Sequence, residues 1–171
     1  MEIIKLATEW ARAEVFSARF FILFGLLFGA ASLGFWQLGK TEMAKAYIIP
    51  ALVAGGLLLA VGIGIYYANS NRVVDFPKAY ESDPTAFITS ELDRTQGVIK
   101  EYSTIVFKVI PLIIVAAALL LVFVDKPVWK AVAITTIAMM VVILVVDSNA
   151  KARIDAYHQQ LQAAQNGMSN T

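Results

Sequence analysis

The chain has 171 residues, of which 58% are hydrophobic, against about 45–50% in soluble globular domains. A net charge of +1 gives no electrostatic footprint for nucleic acid, and with no cysteine there is no disulfide, thiolate chemistry or palmitoylation. What remains is an all-α polytopic membrane protein.

Residues 1–19 predict a cytoplasmic amphipathic helix. Glu2, Glu9 and Glu14 alternate with Lys5, Arg12 and Arg19, unlike the short basic n-region of a cleavable signal. A heptad-like seam runs Ile3, Leu6, Trp10, Ala13, Ser17, Phe20, Phe24.

Residues 20–68 predict the first transmembrane hairpin. Phe20–Leu38 and Ala46–Ala68 each approach the length of about 20 apolar residues that crosses a hydrocarbon core of about 30 Å. Helices in lipid associate by close packing, which favours small residues on the shared face. Gly25 and Gly29 on the first span, with Gly56, Ala60 and Gly64 on the second, are the expected helix-packing stripe. Pro50 falls in the first turn of its span, where the missing N–H costs little.

Residues 69–107 predict a cytoplasmic loop and helix, too short to bury a core alone. Asp83-Pro84 is a helix start, an N-cap followed by proline at the first helical position. The seam here runs Ile88, Leu92, Thr95, Ile99, Tyr102, Val106.

Residues 108–146 predict the second hairpin, with spans Val109–Val124 and Val128–Val146. Lys108 stands at the span end, where a lysine snorkels to the headgroups. Pro111 is expected to kink the span or free the Phe107 carbonyl. Thr135 and Thr136 are the polar side chains near the middle of the fourth span. Lys108, Pro111, Thr135 and Thr136 are therefore the candidate pathway residues.

Residues 147–171 predict a cytoplasmic helical tail continuing the fourth span, fraying over Gln165–Thr171. Its seam runs Ala150, Ile154, Tyr157, Leu161, Ala164, Met168. A weak echo links the two hairpins: Asn69-Ser70-Asn71 follows the second span and Asp147-Ser148-Asn149 the fourth.

Ten of the 14 lysines and arginines fall on the side holding the N-terminus, central segment and tail, which places both termini in the cytoplasm. Trp36, Tyr47 and Trp129 mark the other interface. Short outer turns and no Asn-x-Ser/Thr sequon lean towards a bacterial inner membrane.

Catalytic chemistry finds little purchase. His158 is the single histidine, so a metal site lacks its usual ligands, and no nucleotide-binding glycine motif occurs. No catalytic residue, metal or cofactor is expected.

The expected fold is a four-transmembrane-helix bundle of two antiparallel hairpins with cytoplasmic helical extensions. The expected function is non-enzymatic: a scaffold or accessory subunit acting through the cytoplasmic helices. Ile99, Tyr102, Ile154, Tyr157 and Leu161 are the candidate partner surface. The expected partners are membrane lipid and a protein, or a second copy of the chain. An oligomeric channel or small transporter is the alternative, and an intramembrane lipid enzyme ranks third.

Overall fold

The computed structural model describes residues 2–169, with side chains as far as Met168. Every element among them is helical: α1 (Glu2–Leu38), α2 (Glu42–Ala46), α3 (Ile48–Ser82), α4 (Pro84–Glu101), a π-helical segment (Tyr102–Val109), α5 (Ile110–Phe123) and α6 (Pro127–Ser169). Four of the helical stretches are long and apolar enough to cross a membrane.

The helices outrun any bilayer. At 1.5 Å per residue the 37 residues of α1 extend about 55 Å and the 43 of α6 about 65 Å, against a hydrocarbon core of about 30 Å. Each span therefore continues without a break into an extension. Residues 69–82, expected as loop, belong to α3, which carries Pro77 within it. The tail is helical through Ser169 rather than frayed from Gln165, and residues 170 and 171 lie outside the described part.

Local chemistry sets the breaks. Asp83 is extended at φ −154° and ψ 99°, and its Oδ1 accepts the Ala86 N–H at 2.9 Å, with Pro84 following. Thr41 caps α2 in the same way, accepting the Ala44 N–H at 3.1 Å. The proline of the third span acts by widening its helix. Pro111 has no N–H to offer the Phe107 carbonyl, and over Tyr102–Val109 the ladder shifts to i→i+5, Ile110 N–H reaching the Ile105 carbonyl.

Three layers stack along the helix axes. Furthest from the spans, Trp10, Phe76, Phe87, Ile88, Ile154, Tyr157 and Leu161 form an apolar core shared by α1, α3, α4 and α6. Within the spans, Phe21, Leu58 and Val146 form a second core. Glu14, Ser17 and Asn69 are buried between the two along α1 and α3, and Glu91 and Thr95 are buried on the α4 face that packs on the outer core.

The seam on α1 is rotated from the expected one. Ala7, Trp10, Ala11, Glu14, Ser17, Ala18, Phe21 and Gly25 are buried, whereas Phe20 is exposed and Leu6 and Ala13 only half-buried. Alanines on that face let neighbouring backbones approach.

α1 and α3 form the most extensive interface in the chain. A Cβ on Gly25 would stand 2.7 Å from Leu59 Cγ and 3.0 Å from the Gly55 carbonyl oxygen, and one on Gly55 would stand 2.8 Å from the Gly25 carbonyl oxygen. One on Gly62 would meet Ile22 and Phe21 at 2.9 Å. Gly56, Gly64 and Gly29 would meet nothing within 4 Å, and Ala60 is exposed. The α3 stripe is thus Gly55 and Gly62, about a helix position away from the expected Gly56, Ala60 and Gly64. Burial of Ala51, Ala54 and Leu58 turns that face inward.

α6 touches every other element, whereas α5 packs on α6 and the π segment and its backbone does not closely approach α1 or α3. Only 17% of the apolar window in the α4–α5 stretch is buried, against 28% in each of the other three. The bundle therefore gapes between α3 and the π segment with α5.

Candidate functional site

The polar side chains gather between the two cores and beside the outer one. Spacing three or four residues apart brings each helix's contribution to one face: Glu14 and Ser17 on α1, Asn69 and Arg72 on α3, Glu91, Arg94 and Thr95 on α4, Arg153, Tyr157 and His158 on α6.

Most of these groups are engaged with one another. Arg153 donates to Glu14 Oε1 through Nη2 at 2.9 Å and Nε at 3.2 Å, and Nη2 also donates to Ser17 Oγ at 2.8 Å. Arg94 grips Glu91 with two bonds of 2.7 Å, a planar fork matched to a carboxylate. Tyr157 O–H donates to the same Glu91 at 3.1 Å. Trp10 stacks on Tyr157 at 5.4 Å, with the Arg94 guanidinium 4.5 Å from its ring centre. Its Nε1 is the one buried side-chain polar atom among the described residues without a hydrogen-bond partner.

His158 belongs to this network. The Thr95 hydroxyl lies 2.6 Å from His158 Nδ1 and 2.7 Å from the Glu91 carbonyl oxygen. A hydroxyl has one proton, so if it goes to the carbonyl the imidazole donates from Nδ1. Nε2 then accepts from Gln162 at 3.1 Å. That tautomer is assigned from the bonding pattern.

Electrostatics follow burial. Desolvation pushes the Glu14 carboxyl up, and Arg153, Arg94 and Arg72 offset part of that. Arg72 is pushed down by burial and by Arg94, with Glu91 and Glu14 acting the other way. The Tyr157 phenol is pushed up by burial and by Glu91.

One carboxylate stands apart. Asp147 on α6 accepts no side-chain hydrogen bond and pairs with no cation among the described residues, although Glu14 and Glu91 each hold an arginine. Burial, with the negative charge of Glu14, pushes it up to about 6. It opens onto a cavity of about 480 Å³ in the gap between α3 and the π segment. The walls are apolar: Val61 and Ile65 from α3, Ile105 and Val109 from the π segment, Met140 and Ile143 from α6. Glu101, Tyr102 and Asp147 make its polar end. Burial, Asp147 and Glu14 push the Tyr102 phenol up.

A second groove of about 710 Å³ lies between α1 and α6, with Phe20 and Val145 in its walls and Arg153 at its polar end. That guanidinium is already taken by Glu14 and Ser17, so the groove offers no uncommitted charge.

The residues singled out from sequence scatter. Thr135 and Thr136 share a cavity of about 220 Å³ between α3 and α6, lined also by Pro50 and Met139. Lys108 is exposed on the π segment and Pro111 lies half-buried in α5, and neither lines that cavity. The four candidate pathway residues do not meet within one chain. Ile154, Tyr157 and Leu161, expected as a partner surface, are at most 3% exposed and form the chain's own core. Ile99 packs against that same core, and Tyr102 reaches both it and the cavity. In the sequence Asp147 is one more acid just past a span, because a carboxylate there looks the same whether or not a cavity faces it.

No protein-family model, no curated protein and no solved structure matches this chain.

Proposed function

We propose that the chain is a non-enzymatic integral membrane protein, an accessory subunit or small receptor that holds a bilayer-resident amphiphile between α3 and the π segment. The observation that carries this is the cavity of about 480 Å³, within the range of about 300–1,000 Å³ typical of ligand sites. Its apolar walls and single polar end match a molecule with a tail and a headgroup. The gap beside α5 gives such a molecule a lateral way in from lipid.

Apart from Asp147, the buried acid–base groups are occupied in holding helices: His158 by Thr95 and Gln162, Glu14 by Arg153, Glu91 by Arg94 and Tyr157; Asp147 faces the cleft with no side chain hydrogen-bonded to it among the described residues. This supports binding rather than turnover. The seams of the extensions are turned inward, so the scaffolding role moves from those seams to the cleft and to whatever its occupancy changes. The bias of ten basic residues to four supports both termini, and the charged layer, lying on the cytoplasmic side, and the short outer turns favour a bacterial inner membrane.

Photolabelling in nanodiscs tests the reading. A photoreactive alkyl amphiphile should label Ile105, Met140 and Ile143 in excess of Leu112 and Leu119, which face outward on α5. Labelling in proportion to exposure, richest on Leu112 at 68% exposed, would contradict it.

A further inference from the structure

The proposed cleft has a definite charge preference, and the inference here rests on the cleft being a binding site. Every ionisable side chain that lines it is acidic or phenolic: Glu101 and Tyr102 from the end of α4 and the start of the π segment, Asp147 from α6. Glu14 on α1 adds negative potential felt at both Asp147 and Tyr102. Arg153 is the cation that reaches this region, and its guanidinium is spent on Glu14 and Ser17. α3 contributes only Val61 and Ile65 to the lining, and Lys108 on the π segment is exposed and outside it.

Two buried acids of the bundle, Glu14 and Glu91, have arginines. Burying a carboxylate without a counter-charge is costly, and the usual remedies are a paired cation or protonation. Asp147 forms no ion pair among the described residues: Lys151, one turn on along α6, is held by Asp155, and Asp147 faces an open apolar cavity. We infer that the missing cation comes with the ligand: the cleft takes a lipophilic monocation, an ammonium head on one alkyl or aromatic tail, with Asp147 as its counter-ion.

Size supports the single tail. At about 30 Å³ for each water-sized group, 480 Å³ holds on the order of sixteen non-hydrogen atoms. That suits an amine with a medium-length chain. The ammonium would sit beside Asp147 and Glu101, and the tail would run along Ile105, Ile143 and Met140 towards the bilayer. Proton and ligand then compete for Asp147, so binding strengthens as pH rises and the carboxyl ionises. Glu14, whose charge is felt at Asp147, acts in the same direction.

The test uses the full chain in nanodiscs and three amphiphiles of equal chain length: decyltrimethylammonium, decylphosphocholine and decyl sulfate. Binding is measured for wild type, Asp147→Asn and Ile105→Trp, the last placing a bulky ring in the cavity. The expected result is preference for the ammonium by tenfold or more, lost in Asp147→Asn while decylphosphocholine binding is unchanged. Ile105→Trp should weaken all cleft binding. Equal affinity for the three head groups, or an ammonium preference that survives Asp147→Asn, would overturn the cationic assignment and leave the cleft as a site for amphiphiles in general. Binding of all three that is indifferent to Ile105→Trp, or no binding by any, would overturn the cleft itself.

Discussion

Arg153 on α6 reaches back 139 positions to Glu14 on α1, with donor–acceptor distances of 2.9 and 3.2 Å to the same carboxylate oxygen. The pair ties the first helix to the last just where both leave the apolar span core. Removing one partner of such a pair leaves an uncompensated charge, at a cost of about 3–5 kcal/mol when buried. Arg153 is partly exposed, so the lower end applies. Glu14→Leu should therefore lower thermal stability, and Arg153→Met added to it should restore much of the loss. A double variant as weak as the sum of the two singles would show that the charges are not coupled.

The close approach of α1 and α3 separates glycines that sequence spacing treats alike. Gly55→Ala and Gly62→Ala force backbone apart and should destabilise the protein, measured by melting in nanodiscs. Gly56→Ala and Gly64→Ala meet open space and should be neutral, or stabilising by up to about 1 kcal/mol from helix propensity. Equal effects at all four positions would show that the stripe is not where the structure puts it.

Leu161 distinguishes an internal seam from a docking surface. It is 0% exposed, and truncation to alanine should cost about 2–5 kcal/mol through lost burial and a cavity. The extramembrane core should loosen, seen as faster hydrogen exchange along α4. An unchanged melt would return Leu161 to the surface.

How far the sequence carries depends on which interaction decides each feature. Span positions and the start of α4 at Asp83-Pro84 are set by local chemistry, apolar run length and one capping side chain, so they can be read directly. The facing stripe on α3 cannot. Gly55, Gly56, Gly62 and Gly64 are all small, and the choice is made by where Phe21 and Gly25 of α1 meet them. Pro111 signals a disturbed helix, but not that the ladder would shift across Tyr102–Val109 and help line a cavity. Asp147 is the hardest case: its distinction is the partner it lacks, and that exists only once α1 has given its counterpart Glu14 to Arg153.

Asp147 also predicts a pH dependence. Its carboxyl is raised in the folded protein, to about 6 from the ordinary aspartate value of 3.8. A raised carboxyl means the folded state holds the proton more tightly, so its stabilising contribution is full below about 3.8 and is lost as pH rises through about 6. Without added amphiphile, the melting temperature should fall over that window. Asp147→Asn should remove that part of the slope, whereas a slope identical in the two proteins would place the titration elsewhere.

The most direct test of the central claim, that the gap between α3 and the π segment holds an amphiphile, is native mass spectrometry of the protein released from nanodiscs. Wild type should retain one amphiphile per chain at collision energies that strip surface lipid, and Ile105→Trp should lose it. Indistinguishable adducts on the two proteins would contradict the claim and make the cavity a stretch of ordinary lipid-facing surface.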